Sequence, residues 1–366
     1  MKGKKILILA NYDVGLYKFR KELLERLLAE KYKVYISLPN GEYIPKLVEM
    51  GCTFVDTAVD RRGTNPFRDF RLIIKYRKII KSIKPDCILT YTIKPNIYGG
   101  IVAATKRIPY IPNVTGLGSA IENGGLLNKF VLTLYKFAFR KAKIVFFQNG
   151  VNQRFFEEKK IAEKKHKLIP GSGVNLQQYS PLEYPEEHNI NFAFIARIMK
   201  DKGAEEFFEA AKDICARYDN VKFHICGFCE EAYESRLKKL QEDGVIEFHG
   251  MVADIRSVLK NMHCVVLPSY HEGLSNVLLE AAASGRPLIS TNIPGCRECF
   301  EDGTGGYYVE VKNSVDLATK MEQFIKLTDE EKKNMGMEAR KYVEEHFDRQ
   351  IVIEAYMNEI NSLEDK

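Results

Sequence analysis

The sequence HCVVLPSYHEGLSNVLLEAAASGRPLIST, residues 263–291, decides the fold because it contains a complete strand–helix–strand unit. Its two ends, HCVVLPS and RPLIST, are the short apolar runs typical of buried parallel strands. The segment from Val277 to Ala283 is apolar nearly all round, so as a helix it should be buried. Ser275 is a plausible N-cap for that helix. Parallel strands joined by a helix predict a doubly wound α/β sheet.

The same alternation of apolar runs and helical patterns extends over most of the 366 residues. KKILILA, KVYISLP and CILTYT predict strands in the first half, and INFAFIAR, VKFHICG and VIEFHG predict strands in the second half. Between them SPLEYPEEHNIN, rich in proline and charge, has the composition of a linker. We therefore predict two Rossmann-like domains, at residues 1–180 and 187–347. Two such domains facing each other would form a cleft.

Composition narrows the class of protein. The net charge of +6 permits anionic partners but does not indicate nucleic acid. The apolar run near the start is too short for a signal sequence, and no run reaches the roughly 20 residues of a membrane span. The two C-x-x-C pairs, at Cys226 and Cys296, lie too far apart for a zinc ribbon, which favours reduced thiols. We expect a cytoplasmic protein that can touch a membrane surface.

Two carboxylates in the opening stretch are candidate ligand-binding groups. Glu280 interrupts an apolar helix, and a buried carboxylate without a partner is costly. It could accept two hydrogen bonds from a vicinal diol such as a ribose, while Glu272 lies in the loop before the helix. The alternative is a structural ion pair for Glu280 and a surface charge for Glu272.

A second set of candidates is the stretch IARIMKDKGAEEF, residues 195–207. Arg197 ends a predicted strand and Lys202 precedes the next helix, so both should point into the same strand-end crevice as the glutamates. Two cations there can neutralise a diphosphate leaving group without a metal. The sequence contains no D-x-D pair, so we predict no metal and no cofactor. The alternative is ordinary strand-end charge in solvent.

Glycine turns give weaker evidence. Gly15 follows the first predicted strand and would let the backbone approach a ligand. The pair Gly116-Leu-Gly118 lacks the third glycine of a G-x-G-x-x-G fingerprint, so dinucleotide binding has little support.

Taken together, these motifs resemble those of family-4 retaining glycosyltransferases of the GT-B fold. The resemblance rests on Glu272-x7-Glu280 with SGRPLIST and PGCRE, on the pair Arg197 and Lys202, and on PGSGVNLQQYSP, which is similar to that family's interdomain hinge. It covers nearly the whole chain. It implies that the C-terminal helix, residues 348–366, crosses back to complete the first domain. It also implies an acceptor-side first domain and a second domain that binds a sugar nucleotide.

The resemblance implies roles for individual residues. Glu280 would hold the donor ribose, Glu272 would contact the transferred sugar, and Arg197 and Lys202 would stabilise the leaving diphosphate. The remaining donor-binding residues would be backbone groups of Gly273, Leu274, Ser275 and Asn276, a base-stacking turn at Gly250, Met251 and Val252, and the loop at Gly15. The implied donor is a UDP-sugar. The implied reaction retains the sugar's configuration, and the diphosphate itself takes the acceptor proton. The family often has a first-domain histidine near the sugar, but no histidine precedes His166 here.

Two basic segments bear on the acceptor. Arg61 and Arg62 precede a turn and a basic helix, and residues 126–143 combine basic side chains with a predicted apolar face of Leu127, Phe130, Val131, Leu134, Phe137 and Ala138. Such a helix suits a membrane interface, although core packing with a solvated basic edge is the alternative. The first segment and Gly116 are similar to bacterial transferases that extend polyprenyl-diphosphate-linked sugars. We expect Arg61, Arg62 and Gly116 to bind such an acceptor at an anionic membrane surface.

Three other functions stay open. A UDP-N-acetylglucosamine 2-epimerase would share the fold, and a transferase could use a soluble acceptor. A non-catalytic sugar-nucleotide-binding or membrane scaffold protein is the third, although it would not need both cations and both glutamates together.

Overall fold

The computed structural model of the chain describes residues 3–60, 65–116, 125–163, 165–186 and 189–363. The chain forms two compact units. The first unit is Met1–Ser172 with Ile351–Lys366, and the second unit is Gly173–Gln350. The chain therefore leaves the first unit just before Gly173 and returns to it after Gln350.

Each unit has a parallel sheet built from short apolar strands. The first sheet contains β1 (Lys5–Leu9), β2 (Lys33–Leu38), β3 (Thr53–Asp56), β4 (Cys87–Tyr91), β5 (Tyr110–Val114), β6 (Val145–Phe147) and β7 (His166–Leu168). The second contains β8 (Ile190–Ile195), β9 (Val221–Cys226), β10 (Glu247–Gly250), β11 (Cys264–Leu267), β12 (Leu288–Thr291) and β13 (Gly306–Val309).

Helices connect the strands in both units. Those in the first half are α1 (Asp13–Ala29), α2 (Ile44–Glu49), α3 (Pro66–Ile83), a π-helical turn (Pro95–Gly99) that continues into α4 (Gly100–Lys106), α5 (Gly125–Phe139) and α6 (Gly150–Glu158). The later ones are a 3-10 turn (Lys200–Lys202), α7 (Ala204–Cys215), α8 (Glu234–Glu242), α9 (Arg256–Leu259), α10 (Asn276–Ala283), α11 (Ser314–Ile325), α12 (Asp329–Phe347) and α13 (Arg349–Asn361). Among the helices that the structure describes, none is long and apolar enough to span a membrane.

Strand order fixes where ligands can bind. The first sheet has the order β3-β2-β1-β4-β5-β6-β7 and the second has β10-β9-β8-β11-β12-β13. In each sheet the chain reverses its direction of travel across the sheet once, between β1 and β4 and between β8 and β11. Ligands of doubly wound sheets bind beyond the carboxyl ends of the strands at this switch point. The sequence prediction of two doubly wound Rossmann-like halves is confirmed.

The last helix belongs to the core of the first unit. Val352, Ile353 and Tyr356 of α13 are buried against the first sheet. The Tyr356 hydroxyl accepts a hydrogen bond of 2.6 Å from the Asn113 amide of β5. Helix α13 therefore contributes to the first hydrophobic core.

A buried arginine forms hydrogen bonds with the proline-rich stretch that was predicted as a linker. Arg286, in the SGRP part of the opening stretch, is fully buried. Its guanidinium donates to the carbonyls of Glu183 at 2.7 Å and Leu259 at 2.8 Å, and lies 5.6 Å from the ring centre of Tyr184. Burial lowers the pKa of Arg286 to about 10. Residues 182–184 of the proline-rich stretch predicted as a linker therefore pack within the second unit.

Candidate functional site

The candidate site lies at the switch point of the second sheet. Strands β8 and β11 are neighbours there, and each is followed by a loop that carries predicted site residues. The backbone N–H of Tyr270 donates to the Asp201 carbonyl at 2.8 Å, and the Ser269 hydroxyl donates to the same carbonyl at 3.2 Å. The loop after β8 and the loop after β11 therefore form one hydrogen-bonded surface.

An ion pair joins these two loops. The Lys202 ammonium lies 2.5 Å from Glu272 Oε1. The Lys202 and Glu272 side chains are only 16% and 13% exposed, so water screens the pair weakly. The structure thus brings together two of the predicted catalytic residues.

Two glycines hold this ion pair in place. Gly203, with φ +73°, follows Lys202, and a Cβ there would lie 2.1 Å from the Pro268 carbonyl oxygen. Gly295, with φ +88°, packs against Glu272, and a Cβ there would lie 2.5 Å from the Glu272 carbonyl oxygen. The Gly295 carbonyl also accepts a hydrogen bond from the Ser275 N–H at 2.8 Å. Sequence reasoning quoted PGCRE as a motif but missed this supporting role of Gly295.

Arg197 has a different partner. Its guanidinium donates to the Glu230 carboxylate in the turn after β9, and the Arg197 side chain is 44% exposed. The expectation that Arg197 points into the crevice with the glutamates therefore needs correction, because the structure pairs it with Glu230. Glu230 was not predicted, because the sequence does not show which residue of the turn after β9, the strand paired with β8, contacts Arg197.

Helix α10 presents one polar face. Ser275 occupies its N-cap position, although its side chain makes no capping hydrogen bond with a described residue. Five of the eight helix residues are buried: Leu278, Leu279, Ala281, Ala282 and Ala283. Asn276 and Glu280, one turn apart, lie on the opposite, partly exposed face, and Gly273 lies in the partly exposed loop before the helix. The expectation of a fully buried helix is therefore wrong for this face.

Glu280 has a neutral hydrogen-bond partner, the phenol of Tyr179. Burial, followed by the charge of Glu280 and its hydrogen bond, raises the pKa of Tyr179 well above its usual range. Tyr179 is positioned by Arg340 of α12, whose guanidinium donates to the Tyr179 carbonyl at 2.5 Å. Tyr179 lies in the quoted hinge-like motif, but the sequence gave no reason to connect it with Glu280.

The three residues predicted to stack on a base are the last residue of β10 and the first two residues of the turn that follows it. Gly250 has φ +64°, and its carbonyl accepts a hydrogen bond from the Gly227 N–H at 2.8 Å. Met251 is exposed, and Val252 packs against the core of the second unit. The turn therefore offers an exposed apolar side chain at the end of a strand next to β9.

The first unit contains the remaining predicted residues. Gly15 lies in the first turn of α1, and among the side chains that the structure describes an added Cβ would contact the Tyr12 ring at 3.7 Å. Gly116 follows β5 and has no neighbour within 4 Å of an added Cβ among the described residues. Arg61 and Arg62 lie outside the described residues. Among the described residues, an added Cβ would therefore collide with nothing at Gly15 or Gly116, so the protein's own packing does not require glycine at either position.

A cavity of about 880 Å³ lies beside Asp60 in the first unit. Its walls come from the loops after β2 and β3 and from the first half of α3. Three basic residues, Arg68, Arg71 and Lys75, and two acidic residues, Asp60 and Asp69, line it, and Arg68 lies 3.0 Å from Asp60. Sequence reasoning noted the basic helix but did not predict a cavity.

Comparison with known proteins identifies both halves of the chain. The family model described as "Glycosyl transferase 4-like" matches residues 5–149, and "Glycosyl transferases group 1" matches residues 189–326. The chain is 28% identical to N,N'-diacetylbacillosaminyl-diphospho-undecaprenol alpha-1,3-N-acetylgalactosaminyltransferase of Campylobacter jejuni, over 96% of this chain and 97% of that one. It is 27% identical to the capsular polysaccharide biosynthesis glycosyltransferase CapM of Staphylococcus aureus, over 97% and 96%.

Solved structures show the same fold. A glycosyltransferase from Rickettsia africae superimposes with a TM-score of 0.81 at 18% identity, over 99% of each chain. Anabaena HepE in complex with UDP superimposes with a TM-score of 0.80 at 18% identity, over 98% of this chain and 100% of that one. Because a glycosyltransferase model matches each of its halves, and the whole chain shares this fold, the protein belongs to the family-4, group 1 glycosyltransferases of the GT-B fold.

Proposed function

We propose that this glycosyltransferase transfers a hexose or N-acetylhexosamine from a UDP-sugar to a lipid-diphosphate-linked saccharide, with retention and without a metal. The observation that carries the proposal is the weakly screened Lys202–Glu272 pair at the switch point, next to helix α10 and Glu280. Names of relatives support it, since the Escherichia coli relative named UDP-Gal:alpha-D-GlcNAc-diphosphoundecaprenol alpha-1,3-galactosyltransferase is 25% identical over 75% of this chain.

The donor nucleotide would lie along the switch point. The Glu280 carboxylate, which is hydrogen-bonded to the Tyr179 phenol, would accept hydrogen bonds from the two ribose hydroxyls. The diphosphate lies at the N-terminus of α10, where backbone N–H groups and the helix dipole favour an anion. The base contacts Met251 in the turn after β10, and Leu274 packs the loop against the core of the second unit.

Lys202 would change partner during the reaction. Before donor binding it neutralises Glu272, and the diphosphate then competes for the ammonium. Once Lys202 contacts the diphosphate, Glu272 is free to accept hydrogen bonds from the sugar hydroxyls. Arg197 swings from Glu230 to the diphosphate, and a second cation on this anion replaces the charge that a metal would supply.

The chemical step would occur on one face of the sugar. The bond from C1 to the diphosphate oxygen breaks, and its electron pair goes to the diphosphate, whose growing charge Lys202 and Arg197 stabilise. The acceptor oxygen bonds to C1 on the same face, and its proton passes to the diphosphate. No protein general base is then required, in keeping with the absence of histidine before His166.

The acceptor would bind in the first unit. The cavity beside Asp60 offers Arg68, Arg71 and Lys75 to a diphosphate, and Arg61 and Arg62 directly follow Asp60 in the sequence. Basic side chains are favoured partners of phosphate oxygens. We propose that these residues bind the acceptor diphosphate, with Gly116 close to its saccharide.

An aromatic and basic surface would hold this unit on the membrane. Phe67 and Phe70 of α3 are 82% and 63% exposed, beside the exposed Arg71. Phe130 and Phe137 of α5 are also exposed, among exposed basic residues. Such surfaces bind the interface of anionic bilayers.

The predicted apolar face of α5 is divided in the structure. Ala138 is buried, and Val131 and Leu134 pack against the core of the first unit. Phe130 and Phe137 point outward, and the side chain of Leu127 lies outside the described residues. The helix therefore both packs in the core and presents two aromatic side chains for an interface.

Transfer assays test the proposed reaction. We expect the protein to transfer sugar from one of a panel of UDP-sugars to a polyprenyl-diphosphate-linked saccharide in the presence of EDTA. NMR of the product should show that the donor's anomeric configuration is retained.

Lys202→Ala should lower kcat by about 100-fold or more, because it removes charge stabilisation at the leaving group. An inverted product, or transfer that requires added Mn²⁺ or Mg²⁺, contradicts the mechanism. Epimerised donor formed without acceptor contradicts the function.

Gly295→Ala tests the placement of Glu272. Its Cβ would collide with the Glu272 carbonyl oxygen, and a displacement of about 1 Å costs on the order of 100-fold in rate. Gly303→Ala is the matched control, since Gly303 has φ +78° with nothing within 4 Å of an added Cβ. Gly295→Ala should lose more thermal stability than Gly303→Ala because of this collision, and at a temperature where both variants are folded only Gly295→Ala should lose transfer. Equal transfer by the two variants would contradict the role of Glu272.

Vesicle binding tests the membrane surface. We expect Phe67→Ser combined with Phe70→Ser to reduce binding to phosphatidylglycerol vesicles at least tenfold, because burying one such side chain contributes about 1.5–3 kcal/mol. Val315→Ser is the control, since Val315 is 75% exposed in the second unit. Sedimentation with vesicles measures binding, and an equal effect of the control variant would refute the assignment.

A further inference from the structure

A second cluster of side chains with ligating atoms lies at the edge of the second sheet. His224 is on β9, and Glu247 and His249 are on the edge strand β10. Their ligating atoms all lie within 4.8 Å of one another. We propose that this cluster binds a Zn²⁺ ion, apart from the chemistry of the donor site.

Strand pairing explains why these three side chains meet. Glu247 is the register partner of His224, and side chains at paired positions of parallel strands point to the same face. The register shifts between Phe248 and Gly250, so that His249 is the extra residue of a bulge. His249 lies two residues after Glu247 on the same strand, and its Nε2 lies 3.0 Å from His224 Nδ1.

Two of the three distances between ligating atoms are close to those of a tetrahedral zinc site, and the third is at most 4.8 Å. His224 Nδ1 lies 3.0 Å from His249 Nε2 and 3.5 Å from Glu247 Oε2. With metal–ligand distances of about 2.0–2.2 Å, the ligating atoms of a tetrahedral zinc site lie about 3.3 Å apart. Two imidazoles and one carboxylate are a common donor set for this ion, with a fourth position left to water.

Asn191 sets the tautomer of His224. The Asn191 amide donates from Nδ2 to the Asn261 carbonyl at 2.9 Å, so its Oδ1 faces His224 Nε2 at 3.4 Å. His224 Nε2 therefore carries the hydrogen, and the lone pair of Nδ1 points to the cluster. A buried second partner of this kind is what orients metal-binding histidines.

A bound cation would compete with Lys222 for the one carboxylate of the cluster. Glu247 supplies one negative charge, and its other oxygen lies 3.6 Å from the exposed Lys222 ammonium. The ion would join the edge strand to β9 directly before the turn at Gly250. Zinc would thereby stabilise the strand end that carries Met251.

Zinc titration of the chelator-treated, untagged full chain tests the site. We expect calorimetry to give one Zn²⁺ per chain. We expect the midpoint temperature of thermal unfolding to rise by several degrees in excess Zn²⁺. His249→Ala and Glu247→Gln, both on the surface, should lower zinc affinity at least tenfold and remove the rise. Co²⁺ should give a tetrahedral visible absorption spectrum that His249→Ala abolishes.

His346→Ala is the control, because His346 is an exposed histidine on α12. It should bind zinc as the unaltered protein does. Three results would overturn the proposal: no stoichiometric binding, zinc binding unchanged by His249→Ala, or equal losses in His346→Ala, which would indicate an adventitious ion only. None of these readouts depends on sugar transfer, so failure of the zinc site leaves the proposed function standing.

Discussion

The ion pair between Lys202 and Glu272 is the interaction on which the candidate site depends. It places a cation and a carboxylate, both mostly buried, on two loops that leave neighbouring strands. A buried pair gains little stability over apolar packing, but removing one partner leaves the other charge buried and uncompensated. We therefore interpret the pair as functional: an incoming diphosphate can take the place of Glu272 as the partner of Lys202.

The backbone leaves this pair little freedom. Gly203 and Gly295 each bring two segments closer than any side chain would allow, one beside Lys202 and one behind Glu272. The order of the strands also positions the pair, because β8 and β11 are neighbours and the loops that follow them lie side by side. Preorganisation of this kind spares the site from reorganising when charge develops on the leaving group.

Sequence patterns predicted the fold and the positions of the main charges because both depend on local order. Apolar runs and helical periodicity indicated the parallel sheets and the helix that contains Glu280, and strand ends indicated where Lys202 and Glu272 lie. The partners could not be predicted, because Tyr179 with Glu280 and Glu230 with Arg197 meet through contacts between distant segments. The pairing of His224 with Glu247 and the exposure of Phe130 and Phe137 likewise depend on tertiary packing, which sequence periodicity does not report.

Binding of UDP and 2′-deoxy-UDP tests most directly the claim that Glu280 holds a ribose in the second unit. Hydrogen bonds to a carboxylate contribute about 1.5–3 kcal/mol, so calorimetry should show that the unaltered protein binds UDP at least about tenfold more tightly. In Glu280→Ala the two ligands should bind with nearly equal affinity, while Glu242→Ala, a surface control at the end of α8, keeps the difference. An undiminished preference for UDP in Glu280→Ala would contradict the account.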